Sequence, residues 1–141
     1  MTTLTSQVCN LDLSRRLKEL GYPHTSLFDW CEIGDGEWML MMRREKEHKE
    51  IMEQYPEHEG CISAPTASEL GEILKQWTNY NEGHCWHVFW NGTQWGCADI
   101  RLDENHMEES QTNHFAPTLV DAMGEMVVYL ADHGLITFNS K

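Results

Sequence analysis

The stretch Ile62-Ser63-Ala64-Pro65-Thr66-Ala67-Ser68-Glu69-Leu70-Gly71-Glu72-Ile73-Leu74 decides how this chain is read. Pro65 fixes its own φ and disfavours helix at Ala64, so Ile62 to Ala64 reads as the end of a strand or extended segment. Thr66 then stands as a helix N-cap. Glu69 follows three residues later, where its carboxylate reaches back to the cap amide in a capping box. Ala67, Leu70, Ile73, Leu74 and Trp77 recur at helical spacing and give one apolar face.

The same device returns near the C-terminus. Phe115-Ala116-Pro117-Thr118 is followed by Asp121, and Leu119, Ala122, Met123, Met126, Val127 and Leu130 form one stripe closed by Gly134. Both copies run Ala-Pro-Thr, an acid, then Gly-Glu (Gly71-Glu72 and Gly124-Glu125), with a spacing that differs by one residue. We read this as reuse of a strand-to-helix device. Ahead of both, residues 1–21 carry a first helix. Ser6 or Asn10 caps it, Leu13, Leu17 and Leu20 form its stripe, and Gly21 with Pro23 ends it.

Two hairpins supply the strands. Leu27 to Ile33 and Trp38 to Met42 flank Gly34-Asp35-Gly36, with Phe28, Trp30 and Glu32 on one face and Leu27, Asp29, Cys31 and Ile33 on the other. The run Trp38-Met39-Leu40-Met41-Met42 lacks alternation, which predicts a strand buried on both faces or partly interfacial. In the second hairpin, Gly83 to Leu102, Asn91-Gly92 reads as a two-residue turn. That register pairs Trp90 with Thr93, Val88 with Trp95 and Trp86 with Cys97, and lines one face with Trp86, Val88, Trp90 and Trp95. Arg43 to Gly60 reads as a solvated helix and loop, Asp103 to Asn113 as an acidic loop, and Leu135 to Phe138 as an apolar tail for a strand edge or a neighbouring subunit.

Ile62-Ser63-Ala64 through Glu69-Leu70-Gly71-Glu72, with Asp121-Ala122-Met123 through Tyr129-Leu130 and Gly134-Leu135-Ile136, resembles a family of small uncharacterised phage and prophage proteins. Leu4-Thr5-Ser6-Gln7-Val8-Cys9 and Leu17-Lys18-Glu19-Leu20-Gly21 are similar to it too. The match covers the two ends and the anchor. The resemblance implies a phage setting and an α+β domain, and nothing catalytic.

The bulk properties narrow the functions. A chain of 141 residues with 40% hydrophobic content forms one domain, residues 1–141, with a real core. The net charge of −13 repels nucleic acid and anionic membrane, so neither is an expected partner. No signal peptide or apolar run of about 20 residues is visible, which predicts a cytoplasmic protein. Five irregularly spaced cysteines predict reduced thiols rather than a disulfide scaffold.

His84-Cys85-Trp86-His87 and His58 with Cys61 lack the close ligand pairs of a zinc site, and Asp103-Glu104-Asn105 lacks the glycine of a calcium loop. No nucleophile elbow or phosphate-cradling glycine loop occurs. The expectation is a protein that is not an enzyme, with no metal and no cofactor. Binding remains. Phage accessory proteins of this size commonly act on host defences, and one route is to sequester a nucleotide immune signal. Trp30, Trp38, Trp86, Trp90 and Trp95 are candidates for base stacking. Arg43, Arg44 and Arg101, with the helix N-termini at Thr66 and Thr118, are candidates for phosphate. The alternatives are an acidic inhibitor that mimics DNA toward a host protein, or a structural protein with no ligand.

The predicted architecture is α+β: one antiparallel sheet of four or five strands built from two hairpins, with about three helices packed mainly on one face. A homo-oligomer, a dimer or higher, is expected because this apolar surface exceeds what three short helices cover.

Overall fold

Thr66 and Glu69 hold each other as the sequence predicts. In the computed structural model the Thr66 amide donates to Glu69 Oε1 at 3.0 Å and the Glu69 amide to Thr66 Oγ1 at 3.3 Å. The structure describes residues 4–23, 26–34, 36–42, 61–80, 84–102 and 108–138. The elements are α1 (Leu11–Glu19), β1 (Phe28–Gly34), β2 (Glu37–Met42), β3 (Cys61–Ser63), α2 (Ala67–Tyr80), β4 (His84–Trp90), β5 (Trp95–Leu102), β6 (Glu108–Ala116) and α3 (Leu119–Asp132). A short 3-10 turn at Leu4–Gln7 precedes α1. None of the described helices is long and apolar enough to cross a membrane.

The class is α+β, and the expected single sheet of four or five strands is corrected. The strands form two three-stranded antiparallel sheets, in the orders β2-β1-β3 and β4-β5-β6. Pro65 lies two residues beyond the end of β3 and has no N–H to extend the ladder. The chain turns there into α2 before β4 begins, so the two hairpins never become neighbours. The two Ala-Pro-Thr copies each follow a third strand, but β3 pairs back to β1 whereas β6 pairs with β5. The device is shared while the topology is not.

α2 and α3 cover one face of the second sheet. Leu70, Leu74, Met126, Val127 and Leu130 are fully buried there with Cys97. Each such aliphatic side chain contributes on the order of 1.5–3 kcal/mol on burial. α1 joins this core through Leu13 and Leu17. Its N-cap is Asn10, whose side chain accepts from the Leu13 amide at 2.8 Å. The buried serine of α1, Ser14, donates to the Cys9 carbonyl at 3.2 Å.

The first sheet is tied on through the chain entering α1. Val8 bridges Thr66, the Cys9 amide donates to the Pro65 carbonyl at 2.9 Å, and Val8 packs with Phe28 and Ala64. Strand β2 corrects the first of the two readings of its run, burial on both faces, and leaves the partly interfacial one. It is an edge strand among the described residues, with Trp38 and Leu40 half-buried and Met39 and Met41 exposed. The Asp103 to Asn113 loop is corrected too, because β6 begins at Glu108. From Thr112 it alternates, with His114 and Ala116 toward the helices and Asn113 and Phe115 outward. Polar side chains on the inner positions hid that period.

The apolar tail packs on its own chain. Ile136 and Phe138 lie against the core, with the Phe138 ring 5.4 Å from that of Tyr22. The Arg43 to Gly60 segment lies outside the described residues.

Candidate functional site

The second hairpin turns differently from the predicted two-residue turn. The Asn91 amide donates to the Gln94 carbonyl at 3.1 Å, while Asn91 Oδ1 accepts from the amides of Thr93 and Gln94 at 2.8 and 2.7 Å. Asn91 therefore closes the turn with its side chain, and Gly92 takes the positive φ of 98°. Trp90 pairs with Trp95, Val88 with Cys97 and Trp86 with Asp99, which corrects the predicted partners. The shift moves each partner by two positions, so the faces stay as predicted and Trp86, Val88, Trp90 and Trp95 share one side.

That side is covered by the helices at its middle and open at its turn end. Trp86 packs against the core, its ring 3.9 Å from where a Cβ on Gly71 of α2 would stand. Trp95 is half-buried against the same core, next to Ala116 where β6 leads to α3. Trp90 is 53% exposed and Val88 36%. The two indoles lie 5.6 Å apart with planes 60° tilted. The result is a shelf: one indole fixed by the core, a second leaning on it in solvent, and Val88 beside them. Such a surface offers a π-face to a planar ring, worth about 1–3 kcal/mol for a stacked base.

The other predicted residues do not gather there. Trp30 donates its indole N–H to the Cys9 carbonyl at 2.8 Å and packs on Val8, so it is a structural link. Trp38 lies under the Arg15 guanidinium, 5.0 Å from its ring centre. Arg101 is exposed at the opposite end of β5 from Trp95, about 20 Å away at strand rise. Arg43 and Arg44 lie outside the described residues. Of the described cations near the core, Arg16 pairs with Glu125 of α3.

The helix N-termini carry their own acids. Glu69 occupies that of α2. At α3, Thr118 Oγ1 accepts from the Asp121 amide at 3.2 Å, and Asp121 Oδ1 accepts from the Asn10 amide at 2.8 Å. A carboxylate at each site offsets the helix dipole and disfavours a second anion.

A polar file escaped the sequence reading. His84 Nδ1 lies 3.1 and 3.2 Å from the two oxygens of buried Asp99, and the His84 ring meets Trp77 edge-on at 5.3 Å. Thr112, paired with Asp99 on β6, contacts His114 Nε2 at 2.8 Å. The His114 ring lies 5.0 Å from Tyr129, which stacks on His133 at 4.1 Å. Burial pushes the His114 imidazole below its ordinary pKa, with Glu125 opposing. The file links residues of β4, β5, β6 and α3, and the observed register is what brings them together. Among the described residues no group of three or more His, Cys, Asp and Glu is placed to hold a metal.

No protein-family model matches the chain, and no curated protein and no solved structure matches it.

Proposed function

We propose that this chain is a non-enzymatic phage accessory protein, acting as a homo-oligomer, that binds a planar base-like ligand on the Trp90–Trp95 shelf. The reading deepens to sequestration of a nucleotide immune signal in defence evasion. The observation that carries it is the exposure of Trp90 beside a core-anchored Trp95. A large indole at 53% exposure beside a second ring offers the flat aromatic face that a partner ring can use. Among the described residues no cation is shown at the shelf, so the base contributes the main contact.

The test is a titration with purine nucleosides and cyclic dinucleotides, read by tryptophan fluorescence and melting temperature. Binding should quench the wild type and raise its melting temperature, and Trp90→Ala should abolish both while Trp38→Ala keeps them. Native mass spectrometry should recover the ligand unaltered. Altered ligand, or equal binding by Trp90→Ala, overturns the proposal.

A second reading rests on the charge of −13 together with the acids at both helix N-termini. It is an acidic inhibitor that docks on a basic host protein through carboxylates. It predicts salt-sensitive co-purification with a host protein and no response to nucleotides. A chain showing neither behaviour would be a structural protein.

A further inference from the structure

Two of the five cysteines, Cys31 and Cys61, face each other across β1 and β3. The kind of facing follows from one hydrogen bond. The Ala64 amide donates to the Phe28 carbonyl at 2.8 Å, so Phe28 and Ala64 form a hydrogen-bonded pair. Pair types alternate along an antiparallel ladder. The register runs unshifted through Asp29/Ser63 and Trp30/Ile62 to Cys31/Cys61. Cys31/Cys61 is therefore of the non-hydrogen-bonded type, whose Cα atoms stand about 4.5 Å apart with their side chains brought close. A disulfide needs a Cα separation of about 4.4–6.8 Å.

We propose that Cys31 and Cys61 form a reversible disulfide site, oxidised by a small peroxide and reopened by thiols. It is independent of the ligand shelf. The two side chains are 7% and 8% exposed, which admits a small oxidant better than a bulky disulfide. Approach is from the side of β2, where Met39, the other cross-strand partner of Cys31, is 50% exposed.

One sulfur attacks a peroxide oxygen, the O–O bond breaks, and the departing hydroxide takes a proton to become water. The sulfenic acid left on that cysteine is then attacked by the second sulfur. Its S–O bond breaks, and the second hydroxide leaves as water with the proton of the second thiol. Two thiols and one hydrogen peroxide give one disulfide and two waters. The two sulfurs supply the two electrons.

The other thiols are not placed for this. Cys9 and Cys97 are fully buried, and burial pushes both thiols up, Cys97 to about 12. Cys85 is exposed but faces Ile100 on the outer side of the second sheet. The crosslink would fasten the three-residue β3 to β1 at the point where the chain enters the Pro65 elbow. It would also close the loop of residues 32–60, which restricts the unfolded chain.

The full-length protein in a Cys85→Ser background is treated with hydrogen peroxide and examined by intact mass and non-reducing peptide mapping. The expected result is a loss of about 2 mass units, a Cys31–Cys61 linked peptide, a melting temperature raised on the order of 10 °C, and reversal by dithiothreitol. Adding Cys31→Ser or Cys61→Ser should replace the loss with a gain of oxygen on the remaining cysteine. A linked peptide with any other pairing, or oxygen addition without a disulfide when both cysteines are present, overturns the proposal. The mapping needs no serine variant at positions 31 or 61, so poor folding of those variants leaves the test intact.

Discussion

At the scale of single residues, the two glycines of the repeated Gly-Glu motif have different work. A Cβ built on Gly71 would meet Met123 and Trp86 at 3.8–3.9 Å, ordinary contact distances. One on Gly124 would stand 2.5 Å from Leu13 Cδ2 and 2.8 Å from Cys9 Sγ, because α3 packs tightly on the start of α1 there. Alanine gains up to ~1 kcal/mol over glycine inside a helix. Gly71→Ala should therefore stabilise the protein by ~0.5–1 kcal/mol. Gly124→Ala should lose ~1–3 kcal/mol, overpacking exceeding the propensity gain. Urea unfolding of the two variants checks the opposite signs, and two changes of the same sign would refute the account.

His114 supplies a pH prediction. Its folded pKa lies below the ordinary value of 6.5 because burial disfavours the imidazolium. Above 6.5 it is neutral in both states and its contribution is full. As pH falls below that, the unfolded chain takes the proton first and stability drops. The stability difference between wild type and His114→Gln should be flat above pH 7 and shrink toward pH 5. A difference independent of pH would sink it. Glu125, Tyr129 and His133 are the same in both proteins, so the comparison isolates the ring at position 114.

At the scale of elements, local chemistry was legible wherever a few neighbouring residues settle the matter. The Thr66–Glu69 box formed as read, Asn10 capped α1, and the apolar stripes of α2 and α3 point to the core. Legibility failed where a distant partner decides. Asn91 used its side chain in the turn and moved every partner in β4 and β5 by two. Strand β6 was hidden because Thr112 and His114 face inward as partners of Asp99 and Cys97, a role no local pattern announces.

The second helix start shows both effects. Thr118 caps α3 as read, yet the carboxylate of Asp121 turns to the Asn10 amide and ties α3 to α1. Asp121→Ala removes a part-buried, charge-assisted bond that fastens α3 to the start of α1, and should cost ~2 kcal/mol. Glu69→Ala loses a partly exposed local cap and should cost ~0.5–1 kcal/mol. Thermal melts of both variants give the ranking, and a larger loss at Glu69 would contradict it.

At the scale of the whole molecule, the candidate site was legible as a face but not as a place. The sequence put Trp86, Val88, Trp90 and Trp95 on one side, and the fold then buried the middle of that side under α2 and left its turn end open. Trp30 and Trp38 fell on the other sheet, since the hairpins did not join. Splitting the strands into two sheets also sharpens the assembly proposal. Two sheets have more edges than one, and among the described residues β2 is an edge carrying Met39 at 50%, Met41 at 37% and Met42 at 55% exposure, with Leu27 at 53% nearby. Proteins commonly blunt such edges with lysine, proline or a bulge; Trp38 to Met42 has none of the first two. Antiparallel pairing of β2 with its copy would satisfy the outer backbone groups of both strands, in a self-complementary contact of two-fold symmetry. Light scattering at tens of micromolar should then give twice 16.4 kDa for the wild type. Replacing Met39 and Met41 together by lysine should return the monomer mass with little change in melting temperature, because both side chains already stand in solvent within one chain. A wild type that is monomeric at that concentration rules out assembly by this edge, and a lysine variant that stays dimeric moves the interface elsewhere.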